Sequence, residues 1–192
     1  MGHKSNEFGV KFVKNMLAKN QSKVDIFKFS WCKWLPAKCN IFAWRAGLGS
    51  IATVDALKRR NINIQDTKCC VCNKEEESID HLFTGCLVAR IMWQAISRWC
   101  RTQQIFAFSF RDLLEVNNHL GLKEPEKSSV CGIIIIGCWS IWRSRKEARF
   151  ANKTVKMDKI ISEVKSVGFL WARNRSKCKD LSWENWCKFV IM

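Results

Sequence analysis

Hydrophobic residues recur along much of this chain at the spacing of one face of an α-helix. The clearest stripe follows the spacing i, i+3, i+4, i+7, i+8 and i+11 and consists of Val88, Ile91, Met92, Ala95, Ile96 and Trp99. A second stripe, on a helix predicted over about 155–175, consists of Met157, Ile160, Ile161, Val164, Val167 and Trp171. Because an α-helix repeats every 3.6 residues, both stripes predict amphipathic helices.

The rest of the pattern is also mostly helical. Helices are predicted over 38–48 and 129–150, and Thr53 is placed to cap a short helix that ends at Arg60. Apolar and other residues alternate over 8–12, which predicts a short strand before a further helix. The chain is therefore expected to be mainly α-helical.

A polar segment, NNHLGLKEPEKSS at 117–129, is the predicted loop and boundary within the chain. It separates a first domain at 1–116 from a basic helical C-terminal extension at 130–192. The extension opens with the apolar run VCGIIIIGCWSIW at 130–142. A membrane span needs about 20 apolar residues, so this shorter run is interpreted as a buried helix.

Basic residues outnumber acidic residues and gather in the two flanks of the chain. The sequence has 33 Lys and Arg against 17 Asp and Glu, which gives a formal net charge of +16. Residues 1–68 carry +9 and residues 128–192 carry +8, whereas residues 69–127 carry −1. A charge of this size predicts attraction to polyanions, either nucleic acid or an anionic membrane face.

The segment CCVCNKEEESIDHLFTGC, at 69–86, has the cysteine and histidine spacing of a zinc site. Two residues separate Cys69 from Cys72, and four separate His81 from Cys86. The first pair suits a tight knuckle, and the second pair supplies the other two ligands of a tetrahedron. Zinc suits three thiolates and one imidazole, and four protein ligands leave no position for water. The sequence therefore predicts one structural Zn²⁺.

Two alternatives to this ligand set stay open. Cys70 competes with Cys69 for the first position, but a C-x-C pair is less suited to a knuckle, so Cys69 is preferred. The other alternative is a group of unliganded core cysteines, because free Cys is often buried. With the zinc site, the predicted fold class is a small, mainly α domain with a zinc knuckle, followed by a helical extension.

The eleven cysteines also indicate a cellular environment. Their number is odd, and the opening residues MGHKSNE lack the apolar stretch of a secretory signal. Thiols that are free or bound to metal are typical of a reducing compartment. The expected location is therefore intracellular, in the nucleus or the cytoplasm.

Three blocks of the sequence carry a family resemblance. They are FGVKFVKNML at 8–17, WCKWLPAKCNIFAWR at 31–45, and the Cys/His segment continuing into HLFTGCLVARIMW at 81–93. Together they resemble the reverse-transcriptase zinc-binding domain of plant non-LTR (LINE-type) retrotransposons, which implies such a domain over 1–116. The chain departs from that family's pattern at Cys70, where the family often has Pro.

A further block and a further departure complete the resemblance. GCWSIWRSRKEARF at 137–150 is similar to the helix that often follows this domain, while Ser50–Thr53 replaces the usual Arg-hydrophobe-Pro-Thr turn. The family's polymerase would lie upstream, so the chain is interpreted as a terminal piece of a polyprotein. The chain has no Tyr, hence no Tyr-x-Asp-Asp motif, and none of its Asp residues are adjacent. Two-metal nucleotidyl transfer needs a cluster of carboxylates, and the sequence offers no candidate for it, so a non-catalytic module is predicted.

The basic flanks are the predicted contacts with nucleic acid, and RNA is favoured because the elements that the chain resembles copy RNA. The cations proposed for these contacts are Lys28, Lys33, Lys38, Arg45, Arg143, Arg145, Lys146 and Arg149. Tryptophans among them suit stacking on bases, but burial of Trp31, Trp34 and Trp44 in the core is favoured. No membrane partner is predicted, and a separate reverse transcriptase or another protein is an alternative partner.

The Cys/His segment at 69–86, which we call the finger, is itself predicted not to contact nucleic acid. Glu75, Glu76 and Glu77 lie between the ligands, where they would repel phosphate, and such a charge run usually forms a solvated loop tip. Two other functions stay open. One is a structural or protein-interaction module, and the other is a retrotransposon remnant without its own activity.

Overall fold

The computed structural model describes residues 27–176, 178 and 180–191. This part of the chain consists of helices joined by loops and contains no β-strand, which confirms the prediction of a mainly α fold. The strand predicted at 8–12 and the helix predicted after it lie outside the described residues.

The first half of the described chain contains α1, α2, a π-helical turn and α3. Their bounds are Ala37–Gly47 for α1, Val54–Lys58 for α2, His81–Gly85 for the π-helical turn and Leu87–Trp99 for α3. The predicted helix at 38–48 and the helix of the first hydrophobic stripe are confirmed. The short helix after Thr53 is also present, although it ends before Arg60.

The second half contains α4, a 3-10 turn and three further helices. Their bounds are Phe110–Glu115 for α4, Val116–Asn118 for the 3-10 turn, Glu126–Ala151 for α5, Met157–Arg175 for α6 and Trp183–Cys187 for α7. The predicted loop at 117–129 is wrong at both ends, because the 3-10 turn occupies its start and α5 begins at Glu126. Pro125 directly precedes α5, where its fixed φ and missing N–H are tolerated.

Helix α3 buries a face that differs slightly from the predicted stripe. Met92 and Ile96 are buried as expected, but Ile91 is 45% exposed. Trp93, which the stripe omits, is buried instead, and its indole N–H donates to the carbonyl oxygen of Phe83 at 2.7 Å. A buried indole needs such an acceptor, and this bond satisfies it.

The middle of α5 is buried on all sides. Ile133, Ile134, Ile135 and Ile136 are each at most 1% exposed, and the helix packs against α6 and α1. This confirms the interpretation of the apolar run as a buried helix. Among the described residues, no helix combines the length and the apolar character that crossing a membrane requires.

One hydrophobic core extends across the whole described chain. It contains residues from Cys32 to Ile191, so both predicted parts contribute to it. At the far end, the indole N–H of Trp99 on α3 donates to the carbonyl oxygen of Trp186 on α7 at 2.9 Å. The division into 1–116 and 130–192 stays a prediction, and the shared core runs across it.

The segment before α1 lies along that helix. Asn40 holds it, since its side chain accepts from the backbone N–H of Cys32 at 2.9 Å and donates to the carbonyl oxygen of Cys32 at 3.1 Å. Trp34 is buried as predicted, with its indole N–H on the carbonyl oxygen of Ser128. Trp31 and Trp44 are 53% and 42% exposed, so the core interpretation is wrong for these two side chains.

Candidate metal centre

A tight hairpin presents the first two cysteines of the cluster. The backbone N–H of Glu77 donates to the carbonyl oxygen of Thr67 at 3.0 Å, and that of Cys69 donates to Glu75 at 2.8 Å. The turn closes through the N–H of Asn73, which donates to the carbonyl oxygen of Cys69 at 2.7 Å. Asn73 adopts a φ of 55°, a left-handed conformation that Asn tolerates better than most residues. The chain therefore reverses directly after the C-x2-C pair.

The second pair of ligands comes from the π-helical turn. The backbone N–H of Cys86 donates to the carbonyl oxygen of His81 at 2.6 Å, which spans the four residues between them. Cys86 then directly precedes α3. Gly85 lies directly beside the imidazole, since a Cβ at this position would be 3.4 Å from Nδ1 of His81. This wide turn brings the imidazole and the thiol to the same side.

The structure brings all four predicted ligands together. One potential ligand atom each of Cys69, Cys72, His81 and Cys86 lies within 4.8 Å of the other three. The Sγ atom of Cys72 lies 3.3 Å from Nε2 of His81. Zinc–ligand bonds of about 2.0–2.3 Å place tetrahedral ligand atoms roughly 3.5–3.8 Å apart, so this geometry fits a zinc ion. Three thiols and one imidazole are also the donor set that zinc favours.

Cys70 lies outside this group. Its thiol faces the carbonyl oxygen of Arg145 at 3.6 Å and Oε2 of Glu77 at 3.9 Å. The thiol of Cys70 therefore lies with Arg145 and Glu77 and not with the four clustered ligands. Between the two alternatives for the first ligand, the geometry favours Cys69.

The thiols of the cluster differ in acidity. A hydrogen bond from Cys69 lowers the pKa of Cys86, and the backbone N–H groups of Val88 and Ala89 at the start of α3 lower it further. The same hydrogen bond, together with burial, raises the pKa of Cys69. Ligand thiols bind zinc as thiolates, so the N-terminus of α3 favours the charged form at Cys86.

Glu75 contacts the imidazole from outside the cluster. Its Oε2 atom lies 3.0 Å from Nδ1 of His81, while Nε2 of the same ring faces Cys72. The His81 side chain is only 8% exposed, whereas Glu75 is in solvent. A carboxylate on the outer ring nitrogen orients a metal-binding histidine and fixes its tautomer. This role of Glu75 was not predicted, although its position between the two ligand pairs is plain in the sequence.

Glu77 is not part of a solvated loop tip, contrary to the prediction. It is 1% exposed, and the guanidinium of Arg145 donates two hydrogen bonds to it, at 2.6 and 3.1 Å. The backbone N–H of Val54 donates a third, at 3.2 Å, and Arg149 approaches to 3.7 Å. Burial of a carboxylate requires such partners. Glu77 thereby joins the knuckle to α5 and α2, a role that sequence proximity could not indicate because Arg145 follows 68 residues later.

The first set of predicted nucleic-acid contacts lies in solvent. Its members are Lys28, Lys33, Lys38 and Arg45, and all four are exposed. None of them forms an ion pair within the described part of the chain. No acidic side chain of the described residues therefore compensates their charge.

The second set is largely engaged within the fold. Arg143 pairs with Glu163, and Arg149 donates to the carbonyl oxygens of Asp66 and Lys68. Lys146 is exposed and has no acidic partner among the residues described here.

The prediction that Arg145 contacts nucleic acid needs correction. Its side chain is 4% exposed and its guanidinium is bound to Glu77 and stacked over Trp142 at 4.9 Å. A phosphate group cannot reach it in this conformation.

A hairpin knuckle and a π-helical turn that gather three thiols and one imidazole define a helical module of the zinc-binding type. Residues 8–93 match the family described as zinc-binding in reverse transcriptase. The match includes the described elements from α1 to the first half of α3, together with all four predicted ligands. No curated protein and no solved structure matches the chain.

Proposed function

We propose that this chain is a non-catalytic module with one structural zinc ion, and that it binds nucleic acid, RNA in preference to DNA. Its origin would be a retrotransposon reverse transcriptase, of the plant LINE type by the resemblance in its sequence. The interface is the exposed basic face of α1 and the segment before it. Each part of this proposal has its own support.

The ligand set supports a structural role for the zinc. The ligand atoms of Cys69, Cys72, His81 and Cys86 lie within 4.8 Å of one another and would together fill the four positions of a tetrahedral zinc site, which leaves none for water or substrate. Within the described residues this is the one group of three or more potential ligands that is close enough for a metal. With no Tyr and no adjacent Asp in the sequence, these features favour a module without polymerase activity.

The observation that carries the proposed interface is the unpaired charge around α1. The sequence has no Asp or Glu between Asp25 and Asp55, while this stretch contains the four exposed cations of the first set. Lys38 and Arg45 lie two turns apart on the solvent face of α1. Cations without acidic neighbours can bind phosphates and release condensed counterions, which drives association with nucleic acid.

Two exposed aromatic side chains support a single strand as the ligand. Trp31 and Trp44 lie in the same acid-free stretch as the four cations. Bases of a single strand stack on such rings while Lys and Arg contact the backbone. The family match to reverse transcriptases favours RNA over DNA, because these enzymes copy RNA.

The test is a binding titration of the zinc-loaded chain with an unstructured RNA and a DNA of the same sequence, at two salt concentrations. We expect tighter binding of RNA than of DNA. For each contacted phosphate, the affinity should fall by about 0.7 log units per tenfold rise in salt concentration, and we call this dependence the salt slope. A variant with glutamine in place of all four cations of the first set should bind RNA more weakly. Its salt slope should be smaller by up to about 2.8, which corresponds to four lost phosphate contacts. Equal binding by this variant would overturn the interface, and primer extension by the chain with magnesium would overturn the non-catalytic role.

One observation favours a second candidate, a protein-interaction module. Ile41, Trp44 and Leu48 are exposed and lie on neighbouring turns of α1, where they form an apolar strip. Such strips occur at contacts between proteins. A chain that binds neither RNA nor DNA at low salt but captures a separate reverse transcriptase would support this candidate. A remnant without activity would bind no nucleic acid and capture no reverse transcriptase.

A further inference from the structure

Two phenylalanines between α3 and α4 are largely exposed. Phe106 and Phe108 are 61% and 83% exposed, and their rings contact each other edge to face with centroids 4.9 Å apart. Ile105 and Phe110 at the ends of this segment are buried, while the two rings between them point to solvent. We call Phe106 and Phe108 the aromatic pair. Large apolar side chains in such an exposed pair indicate a binding surface.

The loop that carries the aromatic pair is fixed at both ends. The buried backbone N–H of Ile105 donates to Oγ of Ser97 at 2.8 Å, and that of Phe110 donates to Oδ1 of Asp80 at 2.7 Å. Ser109 and Asp112 then form a capping box at the start of α4. A ligand would therefore meet rings that are already positioned, which lowers the entropy lost on binding.

The loop is also fastened to the candidate metal centre. Asp80, which holds Phe110, directly precedes the ligand His81. Thr84, within the π-helical turn, bonds to the carbonyl oxygen of Asp80 at 2.6 Å and lies 3.5 Å from that of Phe108. The turn that supplies two zinc ligands therefore supports the aromatic pair as well.

The charge around the aromatic pair identifies the kind of ligand. The sequence from 81 to 111 contains four Arg and no Asp or Glu. The two acids that flank it, Asp80 and Asp112, accept hydrogen bonds from the backbone N–H groups of Phe110 and Ser109. Arg90 lines the same small cavity as Phe106. Arg98 and Arg101 are exposed, and these three arginines form no ion pair within the described part of the chain. Stacking rings beside Arg90, which has no acidic partner in the described part of the chain, match a single-stranded nucleic acid, whose bases have apolar faces and whose backbone is anionic.

We infer that the aromatic pair and Arg90 form a second nucleic-acid contact, which takes unpaired bases by stacking while Arg90 contacts the adjacent phosphate. This inference rests on the proposed function and adds a surface to it, since the first interface lies on α1. It also gives the finger region a part in binding, through the side of the π-helical turn and not through the acidic knuckle. A duplex keeps its bases stacked on each other, so it should gain little from this surface.

The test compares three zinc-loaded variants with the wild-type chain on single-stranded RNA and on duplex RNA. The variant with Phe106→Ser and Phe108→Ser should bind single strands at least about fivefold more weakly, since stacking on an aromatic ring is worth that much per base. Its salt slope should be unchanged because no phosphate contact is lost. Arg90→Gln should reduce the slope by about 0.7. Phe150→Ser, at an equally exposed ring on α5, is the matched control and should leave affinity unchanged.

The outcomes separate this inference from the proposed function. A wild-type chain that binds no single strand overturns both. A wild-type chain that binds, loses affinity when the α1 cations are neutralised, and keeps it in the Phe106 and Phe108 variant overturns only the second contact. An equal loss on single strands and duplex, or a loss of self-association without any change in RNA affinity, would also contradict stacking. Each variant should unfold at the thermal unfolding temperature of the wild-type chain, which checks that its fold is intact.

Discussion

The two basic regions of this molecule look alike in sequence and differ in structure. The region around α1 and the second half of α5 each contain four of the predicted cations, and each has tryptophans nearby. Around α1 the four cations are exposed and unpaired in the described chain. On α5, Arg145 is buried against Glu77, while Arg143 and Arg149 pair with Glu163 and Asp66.

The difference teaches that net charge in a sequence is not the charge that a ligand meets. The α1 stretch has no acid of its own and receives none from elsewhere in the described fold. The end of α5 receives Glu77 from the knuckle, so part of its charge is neutralised where the knuckle contacts the helix. A buried ion pair costs desolvation energy and contributes little net stability, but removal of one partner leaves an uncompensated charge.

The largest expected effect comes from the metal ligands, because the knuckle delivers Glu77 to α5. In zinc-finger peptides metal binding contributes on the order of 10 kcal/mol to folding, so Cys86→Ser should lose zinc and loosen residues 66–92. The exchange rates of the backbone amides near Arg145 should then rise, relative to the wild-type chain, by more than those of α1. Elemental analysis and hydrogen exchange measure both effects. Cys70→Ser is the control and should keep its zinc; full zinc occupancy in Cys86→Ser would refute the ligand assignment.

The next effect isolates the buried ion pair itself. Arg145→Met keeps much of the side-chain volume but leaves the carboxylate of Glu77 without its main partner, which should cost about 3–5 kcal/mol of unfolding free energy. Lys146→Met, at the exposed neighbouring position, should change that free energy by less than about 0.5 kcal/mol. Denaturant unfolding measures the difference. Adding Glu77→Gln to Arg145→Met should restore part of the loss, and strict additivity of the two changes would mean that the pair is not coupled.

A smaller effect is expected at Glu75, the glutamate that faces the metal centre instead of α5. Glu75→Gln weakens the hydrogen bond that orients His81, so zinc affinity should fall roughly 10–100-fold. Competition with a chelator measures this affinity. Glu76→Gln is the control because, in the described chain, the Glu76 side chain bonds to Lys58 of α2 and to Thr67 and not to His81. A drop of the same size in both variants would show that general charge, and not the contact with His81, supports the metal.

The smallest effect compares one cation from each region. Arg45→Gln should reduce the salt slope of RNA binding by about 0.7, since one phosphate contact is lost. Arg143→Gln removes the same charge from a group that is already paired with Glu163, so the slope should not change. Titration at several salt concentrations measures both slopes. Equal reductions would mean that the α5 region contacts RNA despite its internal ion pairs.

Some of the candidate site could be predicted because its determinants lie close together in sequence. All four ligands fall within 69–86, and the two pairs each span a single turn, so spacing alone brought Cys69 to Cys72 and His81 to Cys86. The role of Glu75 was not predicted, because a carboxylate in a charge run gives no sign of which histidine nitrogen it faces. The burial of Trp93 in place of Ile91 was not predicted either, because it depends on which face of α3 the neighbouring elements cover.

The sequence by itself determined the features that depend on neighbours along the chain. These are the helices, whose 3.6-residue period is a local property, the burial of the apolar centre of α5, and the ligand spacing of the zinc site. Only the tertiary structure decided which charges and rings are free. Arg145 meets Glu77 across 68 residues and Arg149 meets Asp66 across 83, and no pattern in a single sequence reports such distant pairs. The exposure of Trp44 and Phe108 was decided in the same way, because an aromatic side chain is buried only where another element covers it.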